Sequence, residues 1–168
     1  MHRLTQEFYS DNAVSLAPKL LGKFLCRRID NEILKFRITE TEAYYGENDT
    51  ACHAHKGKTE RTKIMYEHGG FAYIYLCYGI HNLLNIVTGS QDFPEAVLIR
   101  GIENYNGPGK LTKFLQIDRG LNCENLVISD KLWLEDDGFI PQYKSGTRVG
   151  IDYATEEYRD KLWNFFTV

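Results

Sequence analysis

The feature that most constrains the fold of this chain is a run of alternating side chains at residues 34–44. If the run is an extended strand, one face carries Leu34, Phe36, Ile38, Glu40, Glu42 and Tyr44, and the other Lys35, Arg37, Thr39 and Thr41. A buried carboxylate without a partner costs several kcal/mol. The carboxylates must therefore lie in a polar cleft, pair with other groups or have a raised pKa. A bulge near Thr41 could instead turn one glutamate toward solvent.

The neighbouring segments predict strands in adjacent pairs. Residues 23–29 and 32–44 form one pair around the turn at Asp30-Asn31, and residues 71–78 form another with 83–87 around Tyr78-Gly79-Ile80. A further apolar strand ends in Arg100, and residues 126–129, 132–136, 148–151 and 154–166 suggest mixed short strands and helices. Helices are predicted at 11–22, capped by Asp11 or Ser10, and at 107–117. This order favours an α+β fold, a single domain over residues 1–168 with a curved, largely antiparallel sheet flanked by helices.

Composition places the chain among globular proteins. It has 168 residues, of which 43% are hydrophobic and 26% charged, and no apolar run reaches the roughly 18 residues that cross a bilayer. The N-terminus lacks the pattern of a signal peptide, and the cysteines, Cys26, Cys52, Cys77 and Cys123, have no CxxC spacing. We therefore expect a cytoplasmic protein without membrane contact, disulfides or a zinc finger.

Acidic residues and histidines are concentrated at residues 38–55, in Glu40, Glu42, Asp49, His53 and His55. A metal-dependent hydrolase could use these residue types, but the spacing matches neither HExxH nor a cysteine-rich zinc site. The same residues could instead form a structural salt bridge or supply a catalytic carboxylate. A glutamate in a partly desolvated cleft, kept ionised by a cation such as Arg100, can act as a general base.

A basic segment follows directly at residues 53–63. It carries Lys56, Lys58, Arg61 and Lys63 against the single acid Glu60, although the whole chain has a net charge of -3. The negative total argues against binding of nucleic acid by bulk electrostatics alone. The segment is either a solvated loop or a local patch for phosphate groups.

Several sequence blocks occur in the order of a known family. They are ETEAY at 40–44, His53, YIYLCYG at 73–79, Asn85, VLIRGIE at 97–103, GPGKLTKFLQI at 107–117, WLED at 133–136 and RVGI at 148–151. Together these blocks resemble the alkyladenine, or 3-methyladenine, DNA glycosylase family. The resemblance covers nearly the whole chain, and several blocks in one order are far more specific than any one of them.

The resemblance implies a monofunctional enzyme of base-excision repair that needs no metal or cofactor. With this activity we expect a monomer, associated with the nucleoid if the source is a prokaryote. Its partner would be double-stranded DNA containing an alkylated or deaminated purine of the 3-methyladenine, hypoxanthine and ethenoadenine class. Such an enzyme flips the purine out of the duplex and hydrolyses its N-glycosidic bond, which leaves an abasic site. Carried over by position, Glu42 activates the attacking water, and Arg100 and His53 help to hold that water.

The resemblance also implies the residues that bind DNA. Tyr44, Tyr75 and His53 are similar to the walls around the flipped base, and Tyr78 is similar to the wedge that fills the vacated space. Asn85 resembles a residue that discriminates against guanine. The implied contacts to the DNA backbone are Lys56, Lys58, Arg61, Lys63 and Lys110.

One departure from the family pattern concerns the C-terminus. The chain ends in LWNFFTV where the family usually closes with a segment like PLRFY, so Asn164 stands at about the place of an arginine. The role of Glu40 is left unassigned. Besides the metal-dependent hydrolase, a non-catalytic module that binds lesions in the same pocket competes with the enzyme hypothesis.

Overall fold

Ten antiparallel strands form one open sheet in the computed structural model, which describes residues 1–168. The strands are β1 (His2–Arg3), β2 (Phe24–Ile29), β3 (Glu32–Tyr45), β4 (Ala72–Cys77), β5 (His81–Val87), β6 (Glu95–Ile102), β7 (Tyr105–Asn106), β8 (Leu132–Asp136), β9 (Tyr143–Gly146) and β10 (Asn164–Thr167). The helices are α1 (Ala13–Leu20), α2 (Pro108–Phe114) and α3 (Glu156–Arg159). The predicted α+β class with a largely antiparallel sheet is confirmed.

The long strand β3 connects the parts of the sheet. The main strand order is β1-β8-β2-β3-β6-β5-β4, while β10 pairs with both β3 and β9, and β7 pairs with β6. The pairing of β3 with β6 shifts register around Glu40, between Ile38 and Thr41. This irregularity does not send a glutamate into open solvent, because the Glu42 side chain is fully buried and that of Glu40 is 18% exposed. Thr41, on the opposite face, is also buried and donates to Ala17 O of α1.

The predicted hairpins are present. Asp30 adopts a positive φ of 52° at the turn between β2 and β3, and Tyr78 and Gly79 adopt φ values of 51° and 69° between β4 and β5. Consecutive positive φ values closed by the bond from Ile80 N to Cys77 O are typical of a type I′ turn. The turn holds Tyr78 at the tip of the hairpin, where 90% of the residue is exposed.

The helices differ from prediction in their details. The side chain of Asn12, rather than Asp11 or Ser10, caps α1 by accepting from Ser15 N. The helix tolerates Pro18 in its last turn and buries Ala13, Leu16, Ala17 and Leu20, which belong to the main hydrophobic core.

Two segments that were expected to add short elements form turns instead. Residues 126–129 turn back through the bond from Ser129 N to Asn125 O, and residues 148–151 lie in a loop. The predicted strand at 132–136 is confirmed as β8. All four cysteines are free thiols. None of the helices has the length and apolar character that crossing a membrane requires.

Candidate active site

Two cavities share part of their walls beside β3, β4 and β6. The larger, called the cleft here, has a volume of about 760 Å³ and is lined by residues that include Tyr78 and Arg100. The smaller inner pocket has a volume of about 40 Å³, and its lining includes Tyr73 and Asn85. The inner pocket adjoins the cleft, because both are lined by Tyr44, Ala51, His53, Tyr75 and Tyr153.

Glu42 lies behind the wall of the cleft, with its side chain fully buried. Its Oε2 accepts hydrogen bonds from Val149 N at 2.7 Å and from Asn164 Nδ2 at 3.0 Å. Arg100 Nε lies 3.8 Å from the same oxygen. The other oxygen, Oε1, accepts one hydrogen bond, from the Tyr44 hydroxyl at 3.1 Å. The protein therefore saturates Oε2, whereas Oε1 keeps a free lone pair.

The surroundings of Glu42 also set its basicity. Burial raises the pKa of Glu42, while Arg100 and the hydrogen bonds from Val149, Asn164 and Tyr44 act in the opposite direction. The raised pKa makes this carboxylate a better proton acceptor than an exposed glutamate. Arg100 lines the cleft and bonds through Nε to Glu40 Oε1 at 3.1 Å, which leaves its terminal nitrogens free to donate to another molecule.

His53 forms part of the pocket wall. Its Nδ1 lies 2.9 Å from the Tyr73 hydroxyl, and its ring centroid lies 4.3 Å from that of Tyr75. Burial, together with the positive charge of Arg61, lowers the pKa of His53 to about 4, so that the ring is neutral at pH 7. No hydrogen bond joins His53 to Glu42. These contacts favour a role for His53 in the wall of the pocket. Its predicted role in holding the attacking water stays a prediction.

Asn85 contributes an amide to the inner pocket. It lies on β5 directly opposite Tyr73 of β4 and is buried. Its Nδ2 donates to Tyr73 O at 3.1 Å, which fixes the orientation of the side chain. The structure thus brings Asn85 together with Tyr44, Tyr75 and His53. Discrimination against guanine by Asn85 stays a prediction.

The sequence comparisons point to one family. A sequence profile described as methylpurine-DNA glycosylase matches residues 7–106 and 103–168. The chain is 43% identical to a protein of Natranaerobius thermophilus, over 98% of this chain and 94% of that protein. It is 46% identical to a protein of Psychrobacter cryohalolentis, over 83% and 80%, and 42% identical to one of Borreliella afzelii, over 95% and 92%. All three relatives carry a provisional name, 3-methyladenine DNA glycosylase.

The chain belongs to the methylpurine-DNA glycosylase family. The family resemblance that the sequence blocks indicated is thereby confirmed.

The predicted DNA contacts of this family member divide into two groups. Lys56, Arg61 and Lys110 line the cleft, as does Tyr78 at the hairpin tip. Lys58 instead lies over the Tyr66 ring, 5.4 Å from its centroid, and Lys63 forms an ion pair with Glu60 at 2.8 Å. The charges in the first group are the more available for phosphate groups.

The residues of the hypothesised metal site lie in separate hydrogen-bond networks. Asp49 forms an ion pair with Arg148, and the two side chains are fully buried. His55 Nδ1 bonds to Glu47 O at 2.7 Å, and His53 bonds to Tyr73. No cluster of three or more His, Cys, Asp or Glu residues is close enough to hold a metal ion. This arrangement does not favour the metal-dependent hydrolase.

Three residues at the site had no predicted role. Val149 donates its backbone N–H to Glu42, Asn164 donates to Glu40 and Glu42, and Tyr153 lines both cavities with its hydroxyl bonded to Ala51 O at 2.9 Å. The RVGI block that resembles this family includes Val149, and the altered C-terminus drew attention to Asn164. No sequence signal distinguished Tyr153, since it lies in a loop without a motif.

Proposed function

We propose that this chain is a DNA repair glycosylase that flips a damaged purine out of duplex DNA and hydrolyses its N-glycosidic bond. The observation that carries the proposal is Glu42, a buried carboxylate with one free oxygen lone pair behind an aromatic pocket, in a member of a DNA glycosylase family. Glu42 is the only carboxylate that bonds to Tyr44, a residue that lines both cavities.

In the proposed reaction, water attacks the anomeric carbon of the flipped nucleotide. One water proton passes to Oε1 of Glu42, the water oxygen bonds to the carbon, and the electron pair of the carbon–nitrogen bond leaves with the purine. Positive charge develops on the sugar at this stage, and the Glu42 carboxylate stabilises it. The terminal nitrogens of Arg100 donate to the water and hold it at the cleft wall.

The inner pocket must open to admit a base. At about 40 Å³ it holds only a few water molecules, which is less than a purine requires. Tyr153 lines both the pocket and the cleft and is 69% exposed, so we propose that movement of this side chain opens the pocket. Tyr78 enters the duplex in place of the flipped nucleotide and offsets part of the lost stacking. Tyr44, Tyr75 and His53 then hold the base.

Hydrolysis without a covalent intermediate fits the residues of the inner pocket. No lysine lines that pocket, and we propose that the two lysines of the cleft, Lys56 and Lys110, contact phosphate groups rather than form a Schiff base with the sugar. The reaction then ends at an abasic site. From the names of the relatives we infer 3-methyladenine as a substrate, and hypoxanthine and ethenoadenine belong to the same proposed class.

An excision assay tests the proposal. The protein is incubated with duplex oligonucleotides that contain hypoxanthine, ethenoadenine or a methylated purine, and abasic sites are then cut with alkali. We expect strand cleavage with at least one lesion, and no change when a chelator is added. Absence of cleavage with every lesion contradicts the proposal, and chelator-sensitive cleavage supports a metal-dependent hydrolase.

The variant Glu42→Gln identifies the base. We expect its single-turnover rate to fall about 10²–10⁴-fold, the usual contribution of a general base, while the affinity for lesion DNA is retained. Glu95→Gln is the matched control, because Glu95 is also buried but bonds to Thr88 rather than to a cleft residue. A Glu42→Gln protein with near-normal turnover refutes the assignment. Tight binding without turnover by the unaltered protein supports a lesion-binding module.

A further inference from the structure

Asn164 joins the two glutamates of β3, although it lies close to the C-terminus. Its Nδ2 donates to Glu40 Oε1 at 2.8 Å and to Glu42 Oε2 at 3.0 Å. Both hydrogens of the amide nitrogen are thereby used. An amide oxygen in this place would face two carboxylates, so the orientation of the amide is determined. The pairing of β10 with β3 places Asn164 opposite Glu42.

Glu40 extends this connection to Arg100. Its Oε1 accepts both the Asn164 amide and Arg100 Nε. Glu40 and Asn164 line a third cavity of about 690 Å³, whereas Arg100 lines the cleft and Glu42 lines neither. The four side chains form a carboxylate network that extends from the third cavity to the wall of the cleft.

We propose that Asn164 is a positioning residue for Glu42. Its amide holds Oε2, which leaves Oε1 as the atom that takes the proton from water, and through Glu40 it keeps Arg100 beside the cleft. The inference rests on the proposed function, because it concerns the same reaction. Asn164 lines neither the cleft nor the inner pocket, so it acts through Glu42 and Glu40 rather than on the substrate.

The charges of the network make the proposal testable. The ionisable groups that face Glu42 are Arg100 from β6, Glu40 and Tyr44 from β3, Tyr75 from β4 and Tyr153 from the loop before α3. One cation therefore serves two carboxylates. Asn164 adds two donors without adding charge, so that substitutions at Asn164 and Glu40 change the electrostatic field at Glu42 in opposite directions.

The experiment compares Asn164→Asp with Glu40→Gln. The first replaces two donor hydrogens with an acceptor and adds a negative charge at nearly constant shape, while the second removes a negative charge. Ionised Glu42 is the active form, so the rate falls on the acidic side of a plot of single-turnover rate against pH, called the acidic limb here. This limb should move to higher pH in Asn164→Asp and to lower pH in Glu40→Gln. We expect the rate of Asn164→Asp at pH 7 to fall roughly 10- to 100-fold, as for loss of a charged hydrogen bond.

Asn106→Asp is the matched control. Asn106 is exposed and lines the third cavity, but it bonds to neither carboxylate, and its substitution should leave the acidic limb in place. Asn164→Leu keeps the branching and the number of side-chain heavy atoms but removes the donors, so it replaces Asn164→Asp if that protein does not fold, and its limb should also move to higher pH.

The outcomes separate this inference from the proposed function. Three results would overturn the positioning role. They are an unshifted acidic limb in both Asn164 variants, a shift of the Glu40→Gln limb to higher pH, and a shift in Asn106→Asp equal to that in Asn164→Asp. If the unaltered protein releases no base, the proposed function fails instead. A merely structural role of Asn164 would change the urea midpoint and leave the position of the acidic limb as it is.

Discussion

Asp49 and Glu42 come from one short segment and are equally buried, yet the protein treats their carboxylates differently. Both oxygens of Asp49 accept hydrogen bonds from the Arg148 guanidinium, at 2.6 and 2.9 Å. They also accept hydrogen bonds from the backbone N–H groups of Tyr45 and Ala51, at 3.0 and 3.1 Å. The cation nearest to Glu42, Arg100, lies 3.8 Å from Oε2, and Oε1 accepts only one hydrogen bond. A carboxylate with every lone pair engaged supports structure, whereas one with a free lone pair is available for proton transfer.

The position of each cation reinforces this difference. The Arg148 guanidinium is buried over the Tyr44 and Trp163 rings and also donates to Ala43 O, so it connects the segment around Asp49 to the pocket wall. Arg100 instead lines the cleft. The first ion pair therefore positions the wall, and the second places charge where a substrate can meet it.

The largest stability effect should come from Asp49→Asn. Removing one partner of a buried ion pair leaves the other charge uncompensated, at a cost of about 3–5 kcal/mol in the free energy of unfolding. Glu42→Gln removes a charge whose burial is only partly compensated, so the protein should be as stable as the unaltered one or slightly more stable. Urea unfolding at pH 7 measures both. Equal losses in the two variants would mean that the contrast between the two carboxylates is wrong.

The contrast between these carboxylates could not be predicted from the sequence, whereas much of the fold could. The hairpin at Tyr78 follows from its turn residues and the strand that carries Arg100 from its apolar run, which are local signals. The predicted end of that strand at Arg100 is wrong, because β6 continues to Ile102. Arg148 lies 99 residues from Asp49, and Asn164 lies 122 residues from Glu42. A single sequence contains no rule that pairs residues so far apart. The metal-ligand residue types therefore looked like one cluster in the sequence, but packing separates them.

A third buried carboxylate, Glu95, sharpens the comparison because it has no cation. It accepts from the Thr88 hydroxyl at 3.0 Å, and no ion pair involves it. Burial raises the pKa of Glu95 from 4.5 to about 7, although hydrogen bonds from Thr88 and the Ala13 backbone oppose the change. The unfolded chain therefore loses the Glu95 proton at lower pH than the folded protein does.

This order of titration predicts a loss of stability as pH rises. Above pH 4.5 the unfolded state is favoured by ionisation, and the loss continues until the folded carboxyl ionises near the pKa of about 7. The contribution amounts to about 2–3 kcal/mol between about pH 5 and pH 8. Glu95→Gln should remove that part of the pH dependence and be more stable than the unaltered protein at pH 8. Parallel urea titrations at the two pH values check this, with Glu103→Gln, an exposed glutamate, as control. Identical pH dependence in both variants would contradict the assignment.

The distinction between engaged and available groups extends to the cations, where the expected effects are smallest. Lys56 lines the cleft without an ion pair, whereas Lys63 is exposed and paired with Glu60. Each phosphate contact releases about one counterion, so Lys56→Ala should weaken binding to lesion and undamaged DNA alike and lower the slope of log K against log salt by about 1. Lys63→Ala should change the slope by less, because its charge is already partly neutralised.

Fluorescence anisotropy at several salt concentrations measures both slopes. Glu60→Gln provides the control, since it releases Lys63 from its ion pair without moving Lys56. If Lys63 lies within reach of the DNA backbone, this variant binds more tightly at low salt and Lys63→Ala then removes the gain. If the slope changes equally in Lys56→Ala and Lys63→Ala, an ion pair with a neighbouring residue does not decide which cations contact DNA. The distinction between engaged and available groups then holds for the buried carboxylates alone.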